Sequence, residues 1–567
     1  IFIAVACNVL VGLSALLVSQ FRAFAATRNA RASNASAPLG TGRGQAATHP
    51  FLLWVILYTI SGFIGLALEI VWFRLCDVAS KSTAFTFGTV LAVYLGGLGV
   101  GSVIGVPLLS RVRQPLRAFL ICQCLILGYS ALAVVLLAFV PSYVPGIEWL
   151  LSYWRGYDGV VPGSSSSLSL LTFYVLFPLA LFALPTVLMG IAFCVLQRAV
   201  QNDRQTSGLK VGVLQTANIV GCVAGSLVVG LQLLSSVGTT GTLRALVGIG
   251  FVFVVLGVRY FGWRSPFVWH GAALACLTGL MPSQERLWLR LHGFEPGSTP
   301  WAVVDEDATG VVAITPEEDG KLRLSVDGKG HSWLPYGSIH SYLGAFPAVV
   351  HPAPRRVAII GLGSGDTSWA AACRPETEAV DVFELCAPQQ RLLDRLAGTG
   401  QLPQLQRFLR DPRVRIAVAD GRNALAQSRS PYDLIEADAS RPQSGYSGNL
   451  YSVEFFSLCA GKLAPGGIMC TWSPTDRVYV TFCQVFPHVV ELNGGEMLLG
   501  SESPLELDQA TWEGRIRSPA VSRYLGLAIS EGVLAYAQSA RRARPDRQES
   551  VRPNRDLFPR DEFRTPD

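Results

Sequence analysis

The residues best suited to chemistry gather in the second half of the chain. Residues 361–366 read GLGSGD and close an apolar, strand-like run, RRVAIIG (355–361). Glycine at 361, 363 and 365 lets the backbone turn tightly and approach a ligand, and Asp366 follows at the start of the next element. Glu384 ends a second such run, where an acid can accept hydrogen bonds from ribose hydroxyls. Asp420 and Gly421 end a third, where a carboxylate can meet an adenine amino group. Asp438 ends a fourth, inside IEADASRPQSGYSGNLYS (435–452), in the place of a carboxylate base. Together these residues outline a nucleoside-type pocket. The competing reading is that the acids only cap helices and turns.

Such a pocket needs a sheet to hold it. RRVAIIG, AVDVFEL (379–385), VRIAVAD (414–420), YDLIEAD (432–438) and GGIMCTW (466–472) alternate with helical stretches. That alternation predicts a doubly wound, Rossmann-like α/β domain over 351–540, with ligands beyond the carboxyl ends of the strands. Ahead of it, WAVVDED, GVVAIT and KLRLSVDG predict a small β-hairpin subdomain within 283–350. Residues 541–567 form a polar tail with the composition of a disordered segment. Order there implies that it binds a protein partner or lies along its own chain.

Half of the 567 residues are apolar and 15% are charged, and residues 1–282 hold the long apolar runs. Runs of about 20 apolar residues can cross a bilayer. Spans are expected at 1–21, 51–73, 84–109, 117–140, 168–197, 211–234 and 242–258, with a shorter segment at 267–281. The chain therefore reads as a multi-pass α-helical membrane domain (1–282, seven or eight helices, with upstream residues expected to be missing) followed by the α/β part. Residues 8–18 echo 246–258, a weak hint of an internal repeat. The glycine-rich run LGGLGVGSVIG (95–105) suits close helix packing. Glu69 falls at membrane depth, with Arg74 as its expected ion-pair partner.

The net charge of +6 sits mainly in short loops, which reports membrane orientation rather than nucleic-acid binding. Segments 22–50, 110–117, 198–210 and 259–264 carry twelve Lys/Arg, while 74–83, 141–167 and 235–241 carry only Arg74, Lys81 and Arg155. The first set is expected in the cytoplasm. The side of the α/β half stays open, because it depends on whether 267–281 spans. Twelve scattered cysteines without a C-x-x-C pair read as buried hydrophobes, and no metal site is expected.

In the α/β part, VAIIGLGSGD, VDVFEL, DPRVRIAVADGRNAL, YDLIEADAS and LYSVEFFSLCAGKLAPGGIMCTW resemble the successive blocks of the aminopropyltransferases, the spermidine synthase-like proteins. SGFIGLALEIVWFRL resembles the opening helices of bacterial forms fused to a membrane region. The resemblance implies a class I methyltransferase or spermidine synthase-type fold, in the bacterial inner membrane. It also implies a donor site for decarboxylated S-adenosylmethionine, or S-adenosylmethionine itself. Gly361, Gly363, Gly365, Asp366, Glu384, Asp420 and Gly421 would line that site.

The family's catalytic loop reads D-S-x-D-P, and here it reads Asp438-Ala439-Ser440-Arg441-Pro442. The resemblance makes Asp438 the base and puts Arg441 where an acid helps to hold the diamine. The family's L-D-G-x-x-Q becomes VDGKGH, with His331 in place of the glutamine. The next block becomes PYGSIHS, which keeps His340 and loses the acids, with Tyr336 and Tyr451 as substitutes to consider. Both histidines read as structural. Ordinary aminopropylation of putrescine is therefore not expected. The leading expectation is a non-catalytic scaffold or accessory subunit of a membrane complex. The alternatives are a transferase with a non-standard acceptor, and a transporter with a regulatory nucleoside-binding domain.

Overall fold

The structure is a computed structural model that describes residues 50–161, 165–201, 206–437, 440–544 and 551–563. The expected span at 1–21, with its echo of a repeat, and the candidate base Asp438 lie outside the described residues. Residues 51–567 pack as one unit.

Its first layer is a helical bundle. Among the described residues five helices are long and apolar enough to cross a membrane: Phe51–Ser80, Phe85–Arg111, Pro115–Phe139, Ser167–Val200 and Ser207–Phe261. The last is two helical segments. Gly238, at φ 68° and ψ −171°, breaks it between the two expected spans, a conformation that glycine adopts without a Cβ clash. The glycines expected to permit close packing do so. A Cβ on Gly101 would lie 2.0 Å from the carbonyl oxygen of Val187. The short segment forms the Phe267–Leu280 helix, and its buried Leu274 reaches the Gly128 and Gly250 positions of the neighbouring helices.

The second layer carries two sheets. Strands β1 (Val303–Asp307), β2 (Gly310–Pro316), β3 (Leu322–Val326) and β4 (Lys329–Leu334) form an antiparallel meander, larger than the expected hairpin. The main sheet contains β5 (Arg356–Ile360), β6 (Ala379–Glu384), β7 (Val414–Val418), β8 (Tyr432–Ala437), β9 (Leu463–Trp472), β10 (His488–Leu492), β11 (Met497–Ser501) and β12 (Arg541–Arg542). Its order is β12-β10-β11-β9-β8-β5-β6-β7. The five anticipated strands, β5 to β9, are the parallel part. β10, β11 and β12 extend the sheet antiparallel, an extension that the sequence reading missed. β12 belongs to the segment expected to be an extended tail.

The two layers meet through buried polar contacts, and one expectation is corrected there. Arg74 does not pair with Glu69. Its Nε lies 3.5 Å from Glu306 on β1, and its guanidinium donates to the carbonyls of Asp307 and Gly310. Glu306 also accepts from the backbone N–H and the hydroxyl of Thr239, at 3.0 and 2.6 Å. A partner some 230 residues away in sequence wins because β1 docks on the end of the Phe51–Ser80 helix, which sequence distance does not reveal.

The tail also folds back on its own chain. Asp556 pairs with Arg422 at 2.6 Å, and Asp561 lies 3.3 Å from Arg477. The Glu562 carboxylate accepts from the backbone N–H groups of Tyr446 and Gly448, at 2.9 and 3.0 Å. Residues 551–563 thus have polar partners within the chain.

Candidate functional site

Two adjoining cavities open beyond the carboxyl ends of β5, β6 and β8 and along β4. The larger, about 510 Å³, is lined by Gly361, Gly363, Glu384, Asp420 and Gly421. Five of the seven expected donor-site residues therefore gather in one place. The glycine turn is built as expected, with positive φ at Gly361 (97°), Gly363 (54°) and Gly365 (89°). A Cβ on Gly421 would meet Ile360 Cγ2 at 2.8 Å, so only glycine leaves that wall open. Asp420 caps the helix that begins at Gly421 by accepting from the Asn423 N–H at 2.8 Å.

Glu384 is buried and already serves the loop. It accepts from the N–H groups of Leu362 (2.8 Å) and Cys386 (2.7 Å) and from the Gln389 amide (3.0 Å). Burial raises its carboxyl above the ordinary range, and these donors oppose the rise. Two carboxylate oxygens offer about four acceptor positions, and these donors together with the Leu385 N–H occupy them. Glu384 thus caps the turn and also lines the cavity.

Gly365 and Asp366 depart from expectation. Gly365 lies against Phe408 and Tyr336, and a Cβ there would touch the Phe408 ring at 2.6 Å. Asp366 faces the smaller cavity. Its carboxylate accepts from the Ser341 hydroxyl and the Gly337 N–H, tying the loop before the Ile339–Val350 helix. Burial pushes its carboxyl up as well.

The smaller cavity, about 220 Å³, brings together all three departures from the family pattern: His331, His340 and Arg441. His340 contacts the His331 carbonyl through Nε2 at 3.1 Å. Burial, reinforced by Lys329, His340 and Arg441, pushes the His331 imidazole down to about 3. It is neutral at physiological pH and a poor proton acceptor. Arg441 stacks over the Tyr157 ring at 4.2 Å and pairs with Asp158, both on a loop of the helical region.

Tyr336 and Tyr451 do not take over the acceptor site. The Tyr336 hydroxyl donates to the Ser364 carbonyl, and the buried Tyr451 donates to the Ser440 carbonyl, which fixes the loop that carries Arg441.

The sequence reading missed several lining residues. Glu436 and Glu496 add carboxylates to the smaller cavity, and Trp333, Trp472 and Tyr157 add aromatic walls. Glu436 was legible in principle, because it stands near the carboxyl end of the strand-like run YDLIEAD. Glu496 gave no signal, since it precedes β11, a strand the pattern did not reveal. The larger cavity also takes Phe73, Asp77 and Ser82 from the helical region and Tyr446 from the loop after β8. That loop is pinned by the Gly445 N–H donating to the Ser82 carbonyl at 3.1 Å, by Lys329 donating to Ser444 Oγ at 2.6 Å, and by Glu562.

Glu562→Ala is expected to loosen this roof. Hydrogen bonds to a charged group are worth about 1.5–3 kcal/mol each. Part of that loss should appear as roughly five- to tenfold weaker binding of 5′-methylthioadenosine, read by calorimetry. Unchanged affinity would show that the tail does not support the roof.

Comparison with known proteins fits this arrangement. Residues 337–479 match the family described as spermine/spermidine synthase domain. A spermidine synthase of Dictyostelium discoideum is 29% identical over 151 residues, 25% of this chain and 51% of that protein. A polyamine aminopropyltransferase of Thermotoga maritima is 29% identical over 169 residues, covering 26% and 55%. The chain thus spans about half the length of these curated relatives. A crystal structure of spermidine synthase from Thermotoga maritima aligns at 20% identity and a TM-score of 0.32, covering 41% of this chain and 86% of that one. In its C-terminal part, behind a helical extension, the chain carries a spermine/spermidine synthase domain of the aminopropyltransferase type.

Proposed function

We propose that this chain is a membrane-anchored, spermidine synthase-like protein that holds its α/β domain on the face away from the cytoplasm. There it serves as a non-catalytic binding or docking subunit rather than as a polyamine synthase. The observation that carries this reading is which helix ends the α/β domain covers. It docks at the ends near residues 80, 140, 155 and 239, through Arg74–Glu306, Arg290 to the Val140 carbonyl, Arg155 to the Gly293 carbonyl, and Thr239–Glu306. These are the ends poor in cations, and their cations are bound within the protein. Lys81 donates to the Gly156 carbonyl, and Arg244, near the same end, donates to that of Met281 at 2.7 Å.

The arginine-rich segments at 110–117 and 259–264, with Arg198 and Lys210, lie at the other end of helices 24 to 34 residues long. Lys and Arg mark the cytoplasmic side. A domain on the opposite side is separated from the cell's sulfonium donors, and the retained nucleoside-type cavity then serves recognition. Trypsin added to spheroplasts is expected to cut the α/β half, while inverted vesicles protect it. The reverse pattern overturns this reading.

A second reading has its own support: a transferase using decarboxylated S-adenosylmethionine or S-adenosylmethionine with an unusual amine acceptor. Asp366, Glu436 and Glu496 line the cavity next to the nucleoside-type pocket, as an ammonium group would require. Turnover of an amine by the purified chain with either donor selects this reading. Binding of 5′-methylthioadenosine without turnover selects the first.

A further inference from the structure

The helical bundle holds a third cavity, about 270 Å³, lined by residues of its helices alone. Its wall runs along the first helix from Tyr58 to Gly65 and includes Tyr94, Ser102, Phe193 and Asn218 from neighbouring helices. Polar groups are unusual at such depth and generally mark a ligand or ion site. Glu69 is not part of that wall but lies one helical turn beyond Gly65, and residues four apart share a helix face. A Cβ on Gly65 would sit 3.5 Å from the Tyr94 hydroxyl, and Glu69 is close enough to Tyr94 and Cys222 for its charge to act on both. With Arg74 committed to Glu306, Glu69 has no ion pair among the described residues. The hydroxyls of Tyr58, which is 8% exposed, and Tyr94 likewise have no protein hydrogen-bond partner there.

A carboxylate at membrane depth is stable when a cation joins it, and aromatic faces favour an ammonium group over a hydrated metal ion. Tyr58, Tyr94 and Phe193 supply such faces, and the cavity size fits a short alkyl chain. We propose that this cavity binds a small organic ammonium cation, with the charge on Glu69 and the apolar stem against these rings.

The test is calorimetric titration of the detergent-purified full chain with n-butylamine. Glu69→Gln should weaken binding by about tenfold or more, and Tyr94→Phe, which keeps the ring, by about threefold. Glu513→Gln should leave it unchanged, because that residue is exposed and pairs with Arg517 on the surface. No binding to the unaltered chain overturns the proposal. So does full affinity in a monodisperse Glu69→Gln protein, or loss of binding in Glu513→Gln. If Glu69→Gln fails to fold, Tyr94→Phe decides: unchanged affinity overturns the proposal.

Discussion

Glu306→Ala should be the most damaging single change outside the cavities, costing about 3–5 kcal/mol. The Glu306 side chain is 2% exposed and that of Arg74 9% exposed, so water cannot replace a lost partner. The substitution leaves the Arg74 guanidinium with only the Asp307 and Gly310 carbonyls, and it removes both acceptors used by Thr239. The cost falls where the helical bundle holds the β1–β4 sheet, so the two layers should come apart before either unfolds. Thermal unfolding in detergent should shift down by on the order of 5–10 °C, with protease cutting first near residues 292–302. Glu513→Ala is the control. It breaks an exposed pair with Arg517, 66% and 47% exposed, and exposed pairs are worth about 0.3–0.5 kcal/mol. Equal shifts in the two variants would rule out a buried clamp at Glu306.

Arg441→Asp should tighten binding of putrescine by roughly tenfold to a hundredfold, or about 1.4–2.8 kcal/mol. Two like charges about 4 Å apart at an effective dielectric near 20 repel by about 4 kcal/mol. The structure reduces that figure for two reasons. Asp158 partly neutralises the guanidinium, and stacking on Tyr157 draws it toward the wall. The substitution also adds an anion to a cavity already lined by Asp366, Glu436 and Glu496. Because Arg441 is partly exposed, the gain should shrink as salt is raised. Arg441→Ala should recover the part that comes from removing the cation alone. If neither variant binds putrescine more tightly, repulsion by Arg441 is not what excludes a diamine.

By itself the sequence determined the local features. The runs that became β5 to β9 are short, apolar and spaced by helices, a pattern that marks the strands of a parallel sheet in the composition. Gly361 and Gly363 were legible because a positive φ demands glycine. Glu384 and Asp420 were legible because each ends a strand at a sheet edge where ligands sit. The long helices were legible because membrane-length runs of apolar residues have few other uses. β10 and β11 were not, since no α-helix separates them to continue the alternation, and β12 is only two residues long.

Only the tertiary structure decided the partners. Arg74 found Glu306 rather than Glu69, Arg441 found Tyr157 and Asp158, and Glu562 found the loop at 446–448. Asp366 turned from the donor cavity to its neighbour. Each of these contacts joins segments tens to hundreds of residues apart, so it depends on how layers dock. Docking is set by the summed burial of whole faces, a quantity that no stretch of sequence displays on its own.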